Sequence, residues 1–281
     1  MSPMQIEFVE LTDTRASFIV SGSSPYFVNA LRRTLISDVP KMAIDDVEFH
    51  LGPIRDASGK EFESIFPIFD EMVAHRIGLL PIPTDLDVFT FKEKCKCGGE
   101  GCPSCRIMYK LNKMGPCTIY SGDLEPLDDP KLAVRDDLIP IIKLTDGQAP
   151  LIYATAYLGT SAMHAKWQTC NGVGYKYFPI VEISEKKCDG CGKCVERCPR
   201  KVLKMDKKKA TVENLRACIL CETCEEVCPP GAIKTRGDGA KFLMTFDTDG
   251  AVPAFRALQY ALKKLEEEFT EFREKLGEEL E

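Results

Sequence analysis

Residues 188–199 read CDGCGKCVERCP and residues 218–229 read CILCETCEEVCP. The second run repeats the first thirty positions on: Cys188, Cys191, Cys194 and Cys198 answer to Cys218, Cys221, Cys224 and Cys228, and a proline closes each run. No other feature constrains the chain as strongly, because eight thiols so close together must be satisfied as a set. A C-x2-C-x2-C loop wraps three thiolates around three iron corners of one cube, while the cysteine before the proline points to the other cube. The spacing therefore predicts two [4Fe–4S] clusters with crossed fourth ligands. Cys188, Cys191, Cys194 and Cys228 would hold the first, and Cys218, Cys221, Cys224 and Cys198 the second. Zinc also takes four thiolates, but zinc ribbons use separated C-x2-C pairs, and two fused runs with Cys-Pro ends favour iron. Residues 183–237 carry 13 Lys/Arg against 8 Asp/Glu, a local excess that offsets the negative charge of two clusters.

The surrounding chain excludes several classes. It has 281 residues, enough for about two domains. Of its 14 cysteines, twelve fall in three tight groups; a disulfide framework would spread them, so they read as metal ligands in a reducing compartment. Cys117 and Cys170 stand alone and read as buried small hydrophobes. The formal net charge of −6 excludes a surface built to wrap nucleic acid, so any contact with it would be local or through partners. No apolar run reaches the ~18 residues of a membrane span, and MSPMQIEFVE carries no secretory pattern. A soluble cytoplasmic protein is the expectation.

Along the chain, QIEFVEL and RASFIVSG joined by Thr-Asp-Thr predict a β-hairpin. In SSPYFVNALRRTLISDVP, Ser24 is an N-cap and Pro25 a first helical residue; Phe27, Leu31 and Leu35 share a face, and Val39-Pro40 ends the helix. Residues 43–170 alternate strand-like runs (VEFHLG, FTFK, CTIYSG, LIPIIKL, ATAYLG) with Pro and Gly turns, around one amphipathic helix near FDEMVAHRIG. The segment 183–237 has almost no apolar side chains, so its core must be inorganic. After it come a strand, KFLMTFDT, and a long helix beginning near Pro253. In that helix Phe255, Leu258, Leu262, Leu265, Phe269, Phe272 and Leu276 follow alternating gaps of three and four, a heptad seam that invites a partner helix.

A third cysteine group, CKCGGEGCPSC, places Cys95, Cys97, Cys102 and Cys105 within eleven residues. With glycines to let the chain turn tightly, it reads as a structural zinc loop. Motifs for a reaction centre are absent: there is no phosphate loop, nucleophile elbow or H-E-x-x-H, and His50, His75 and His164 are scattered. Asp45-Asp46 and Asp136-Asp137 read as solvated turns, and NGVG at 171–174 as a turn or bulge.

NALRRTLISDVPKMAIDDVEF (29–49), FDEMVAHRIGLLPIPTD (69–85), HAKWQ (164–168) and FLMTFDTDGAVPAFRALQYALKKLEEEF (242–269) resemble the D-type subunits of archaeal DNA-directed RNA polymerase. That family is related to the amino-terminal domain of the bacterial α-subunit and to the third subunit of eukaryotic RNA polymerase II. The resemblance implies an α+β fold: a split α-subunit-like dimerisation domain (1–45, 165–182 and 238–281), an inserted β-rich domain (46–164), and an inserted two-cluster ferredoxin-like domain (183–237). Such insertions cost little when their ends lie close. It also implies that the Asn-Ala-Leu-Arg-Arg helix and the C-terminal helix, with Phe27, Leu31, Leu35, Phe255, Leu258, Leu262, Leu265, Phe269 and Phe272, pack against subunit L. The heterodimer then nucleates assembly with small subunits N and P and the large catalytic subunits. The resemblance further implies that the chain is part of a nucleotidyltransferase to which it contributes no catalytic residues. Eukaryotic relatives hold zinc in a C-x-C…C-x2-C loop, which 95–105 matches with a longer middle spacing.

Two function classes follow. One is a non-catalytic assembly subunit whose clusters stabilise an insert poor in apolar residues and make assembly redox- or iron-responsive. The alternative is a ferredoxin-type electron-transfer subunit of an oxidoreductase. The clusters occupy about a fifth of a chain otherwise laid out as a scaffold, which favours the first.

Overall fold

The computed structural model describes residues 3–55 and 59–280; positions 1, 2, 56–58 and 281 of the expected domains lie outside the described residues. The chain is α+β. In order it forms β1 (Gln5–Leu11), β2 (Arg15–Ser21), α1 (Pro25–Ser37), β3 (Lys41–Phe49), β4 (Pro53–Arg55), β5 (Glu61–Glu63) and α2 (Asp70–Gly78). Next come β6 (Arg106–Asn112), β7 (Cys117–Tyr120), β8 (Glu125–Pro126), β9 (Pro140–Leu144), β10 (Leu151–Gly159) and β11 (Cys170–Ile183). The remainder comprises α3 (Lys193–Arg197), β12 (Leu203–Asp206), β13 (Lys209–Val212), α4 (Thr223–Glu226), β14 (Ile233–Thr248) and α5 (Ala254–Leu280). These elements fall into two units. One takes the chain up to Glu10, Ser17–Arg32 and Gly174–Thr245; the other takes Leu11–Ala16, Arg33–Val173 and the chain from Phe246 onward.

The expected hairpin is present, and its turn is closed by Thr12, whose hydroxyl oxygen accepts from the Arg15 amide at 3.0 Å. β1 and β2 join the long strands β14 and β11 in the order β1-β2-β14-β11. β1 is exposed along its length, whereas β2 is buried from Ala16 to Val20. The helix of 24–39 also forms. The Ser24 hydroxyl accepts from the Phe27 amide at 3.4 Å and its carbonyl from Val28 at 3.2 Å, satisfying two of the donors a helix start leaves free.

In the second unit the four-stranded sheet β3-β10-β6-β8 supplies the main core. β10 buries alternate residues, Ile152, Ala154, Ala156 and Leu158, facing Ile107, Tyr109 and Leu111 of β6 and Met42 and Ile44 of β3. α2 closes this core with Val73 and Ile77, each fully buried and contributing roughly 2 kcal/mol relative to exposure. Tyr109 satisfies its buried hydroxyl by donating to the Leu132 carbonyl at 2.7 Å. At the end of β10, Gly159 is required: a Cβ there would lie 2.4 Å from the Trp167 ring, which is held by its indole N–H donating to Tyr157 O at 3.0 Å.

Two expectations are corrected. FTFK at 89–92 forms no strand; Phe89 is buried in the core from a turn, its amide donating to Asp85 O at 3.0 Å while Thr90 donates to Ser104 O. Alternation there reflects two aromatics packed from a loop rather than sheet pairing. The segment 183–237 does have a small apolar core: Val202, Leu203, Ala210 and Ile233 pack with Cys194 and Cys218. The hairpin of β12 and β13, in register Leu203↔Val212, gathers these few side chains onto one side. Of the two isolated cysteines, Cys170 is fully buried and Cys117 is half-buried.

Candidate metal centres and partner face

The loop before β6 turns so tightly that Gly98, Gly99 and Gly101 all take left-handed φ values, 67°, 87° and 93°. The result is a cage of four sulfurs. The Sγ atoms of Cys95, Cys97, Cys102 and Cys105 all lie within 4.8 Å of one another, with separations of 3.5 Å (Cys95 to Cys102), 3.7 Å (Cys97 to Cys105) and 4.0 Å (Cys102 to Cys105). Four sulfurs each ~2.3 Å from one tetrahedral ion stand about 3.8 Å apart, so this cage has the size for a single thiophilic metal. The Gly101 amide, aided by Cys95, draws the Cys97 thiol down to about 6, favouring the thiolate that metals need. Burial pushes the Cys105 thiol up to about 12, so its thiolate is stable only beside a cation.

The duplicated runs build two further sites in the first unit, and they are different in kind. Cys188, Cys191, Cys194 and Cys228 line one small pocket together with Asp189, Met205, Ala210 and Ile233. Cys198, Cys218, Cys221 and Cys224 line another with Val181, Val202 and Ile219. The structure thus brings together the two crossed sets read from the spacing. Among the described residues neither set closes to the single-ion spacing of the 95–105 cage. Burial, then the charges of Cys228 and Cys188, raise the Cys194 thiol, while burial, then Cys218, Cys198 and Cys221, push Cys224 up to about 11. The outer cysteines Cys191 and Cys221 are exposed.

The duplication extends to hydrogen bonds. Val202 donates its amide to Cys198 Sγ at 3.4 Å, and thirty residues on Ala232 donates to Cys228 Sγ at 3.2 Å. Each first cysteine carbonyl also receives a lysine ammonium. Lys176 of β11 donates to Cys218 O at 2.8 Å and Arg216 O at 2.6 Å; Lys209 of β13 donates to Cys188 O and Glu185 O. Sequence reading registered the lysine excess of this segment but not these two residues, because Lys176 lies outside the segment and only the sheet brings it to Cys218.

The seam of α5 divides in the middle. Leu258 and Leu265 are buried within the chain beside Ala254, Ala257 and Ala261, Leu262 is half-buried, and Phe255 is 44% exposed. Past Leu265 the same stripe stands open, with Phe269 at 62%, Phe272 at 65% and Leu276 at 48% exposure. On α1, Leu31 and Leu35 are buried and Phe27 is half-buried.

The description "RNA polymerase Rpb3/Rpb11 dimerisation domain" matches residues 17–269. DNA-directed RNA polymerase subunit Rpo3 of Thermoplasma volcanium is 42% identical over 279 residues, which cover 98% of this chain and 100% of the relative. The chain belongs to the Rpo3 family of archaeal RNA polymerase subunits. Rpo3 of Picrophilus torridus is 39% identical over 97% of this chain and 100% of its own, and Rpo3 of Archaeoglobus fulgidus 39% over 93% of each. For an Rpo3-family chain the dimerisation domain implies an Rpb11-like partner and a role in assembly of the polymerase. No helix among the described residues is long and apolar enough to cross a membrane.

Proposed function

We propose that this Rpo3-family chain is the assembly scaffold of its polymerase, pairing with subunit L to form the heterodimer on which small subunits N and P and the large catalytic subunits gather. It meets DNA only through the complex, works in the cytoplasm and contributes no catalytic residue. The observation that carries this reading is the open half of α5. A helix that buries Leu258 and Leu265 at home and then extends Phe269, Phe272 and Leu276 into solvent on the same stripe presents an apolar seam with no cover of its own. A helix from a partner with the same heptad geometry would cover it.

In this reading the dimerisation domain is split among 1–45, 165–182 and 238–281, the β-rich insert is 46–164, and the two-cluster ferredoxin-like insert is 183–237. One zinc sits in the cage of Cys95, Cys97, Cys102 and Cys105, where it ties the loop to the start of β6. Two [4Fe–4S] clusters occupy the crossed cysteine sets, and the apolar layer of Val202, Leu203, Ala210 and Ile233 packs around them. Such clusters exchange single electrons when bound. Here they chiefly replace the hydrophobic core that so small an insert lacks, which makes assembly responsive to oxygen or iron supply.

Co-expression with subunit L tests the scaffold, and anaerobic metal and sulfide counting tests the sites. The expected result is a stable heterodimer with one zinc, eight irons and eight sulfides per chain. Failure of the chain to associate with subunit L would overturn the assembly reading. Absence of iron and sulfide would overturn the cluster reading.

A further inference from the structure

The two crossed cysteine sites share several backbone hydrogen bonds but not the same backbone strain. Within three residues of a ligand cysteine, three positions in each repeat adopt left-handed φ; Lys207 and Lys208, at 44° and 63°, form the turn between β12 and β13. In the first repeat the three are Gly190 at 77°, Gly192 at 74° and Lys201 at 51°; thirty residues later they are Leu220 at 56°, Glu222 at 61° and Gly231 at 58°. The crossing of the fourth ligands sorts these six residues. Gly190, Gly192 and Gly231 all flank ligands of the site of Cys188, Cys191, Cys194 and Cys228. Lys201, Leu220 and Glu222 all flank ligands of the site of Cys198, Cys218, Cys221 and Cys224. One site is hung entirely on glycine, the other entirely on residues with a Cβ.

Only glycine takes this conformation without penalty, and a bulky side chain holds it only while the surroundings over-determine it. Several local backbone bonds are matched. Glu222 O accepts from Glu225 N at 2.8 Å and Glu226 N at 3.1 Å, as Gly192 O accepts from Val195 N at 3.0 Å and Glu196 N at 3.2 Å. Lys201 donates its amide to Cys198 O at 3.2 Å, as Gly231 does to Cys228 O at 3.0 Å. The backbone of the ligand loops therefore differs in these Cβ atoms, while Asp189, whose Oδ1 accepts from the Cys191 amide at 3.0 Å, has Ile219 as its counterpart.

We infer that the two sites form a graded pair: the site of Cys198, Cys218, Cys221 and Cys224 gives up its inorganic core first, and the glycine-hung site keeps its own. This rests on the two-cluster reading above. Strain is stored in the ligand loops while the thiolates are pinned and relaxes when they are freed. Partial loss consequently has a set order, with the insert held at the Cys188 site after the other has emptied.

The test is iron release from the anaerobically purified full-length chain to a ferrous chelator. It is followed together with the thiolate-to-iron absorbance and the iron remaining per chain. Two phases of equal amplitude are expected. Lys201→Gly with Glu222→Gly, both exposed side chains, should slow the fast phase on the order of tenfold and leave the slow phase alone. Gly192→Ala with Gly231→Ala should speed the slow phase. A Cβ at Gly231 meets nothing within 4 Å and one at Gly192 only Met205 Sδ at 4.0 Å, so these variants add strain without a clash. As a check on assignment, Cys191→Ser should leave the fast phase and Cys221→Ser the slow one. A single phase unmoved by either glycine exchange, or a Lys201→Gly, Glu222→Gly chain whose slow phase moves instead, overturns the inference with the cluster reading intact. A chain that binds neither iron nor sulfide overturns both.

Discussion

The ammonium of Lys41 donates to the carboxylate of Asp249, two residues 208 positions apart that meet where β3 begins and β14 has just ended. The Lys41 side chain is 4% exposed and that of Asp249 20%. Asp249 is held further by the Ala251 amide, which donates to its Oδ1 at 3.0 Å. Removing one member of such a pair leaves the other charge buried without compensation, a loss of about 3–5 kcal/mol. Lys41→Met and Asp249→Leu should each lower the denaturation midpoint severely. The double replacement should recover much of the loss, since no orphaned charge remains. Equilibrium unfolding of the three variants checks this, and additive losses would show that the two groups act independently.

Along α5, substitutions should separate folding from association. Phe269→Glu and Phe272→Glu alter exposed positions, so the free chain should unfold within about 0.5 kcal/mol of wild type while its affinity for subunit L falls by a factor of about a hundred or more. Leu265→Glu, only 7% exposed, should instead destabilise the chain itself. Unfolding and binding titrations on the same preparations distinguish the two groups. Phe269→Glu binding subunit L as tightly as wild type would remove the open seam from the interface.

Metal content should respond to the cage around Cys97. Cys97→Ser is expected to lose the single zinc, and Gly101→Ala to hold it more weakly. At Gly101 φ is 93° and an added Cβ would lie 2.8 Å from Arg106 Cδ. Chelation of wild type should be reversed by one equivalent of zinc, with the iron sites unaffected. Elemental analysis before and after chelation measures this; zinc retained in full by Cys97→Ser would place the ion elsewhere.

Alkaline pH should weaken the fold through Cys170. Burial, with the nearby charge of Asp249, pushes its thiol from 9.0 up to about 12. The folded chain therefore keeps a proton that the unfolded chain releases. The stability this provides is complete below pH 9 and falls by about 1.4 kcal/mol per pH unit as pH rises from 9 towards 12. Cys170→Ala should show a shallower decline over that window, read as the difference between the two stability profiles. Parallel profiles would mean that Cys170 does not carry the titration.

Much of this molecule is legible in its sequence because the signals are local. Thr12 and Ser24 announce a turn and a cap through short-range hydrogen bonds, and both make them. Cysteines a few positions apart bring one another into range whatever surrounds them, which is why Cys95, Cys97, Cys102 and Cys105 could be read as one group from spacing. The same reasoning failed at Phe89, where alternation produced by packing from a loop imitates a strand. It also underrated the apolar content of the insert, because Val202, Leu203, Ala210 and Ile233 are few and separated until the hairpin of β12 and β13 gathers them.

The sequence by itself determined that Cys95, Cys97, Cys102 and Cys105 group together, where α1 and α5 begin and that α5 carries a heptad stripe, since each depends on neighbours within a few positions. Tertiary structure alone decided which half of that stripe the chain buries, that Lys41 finds Asp249, and that Lys176 reaches the carbonyl of Cys218. Those outcomes depend on strands and loops distant in the chain being brought side by side, and no local periodicity records such encounters.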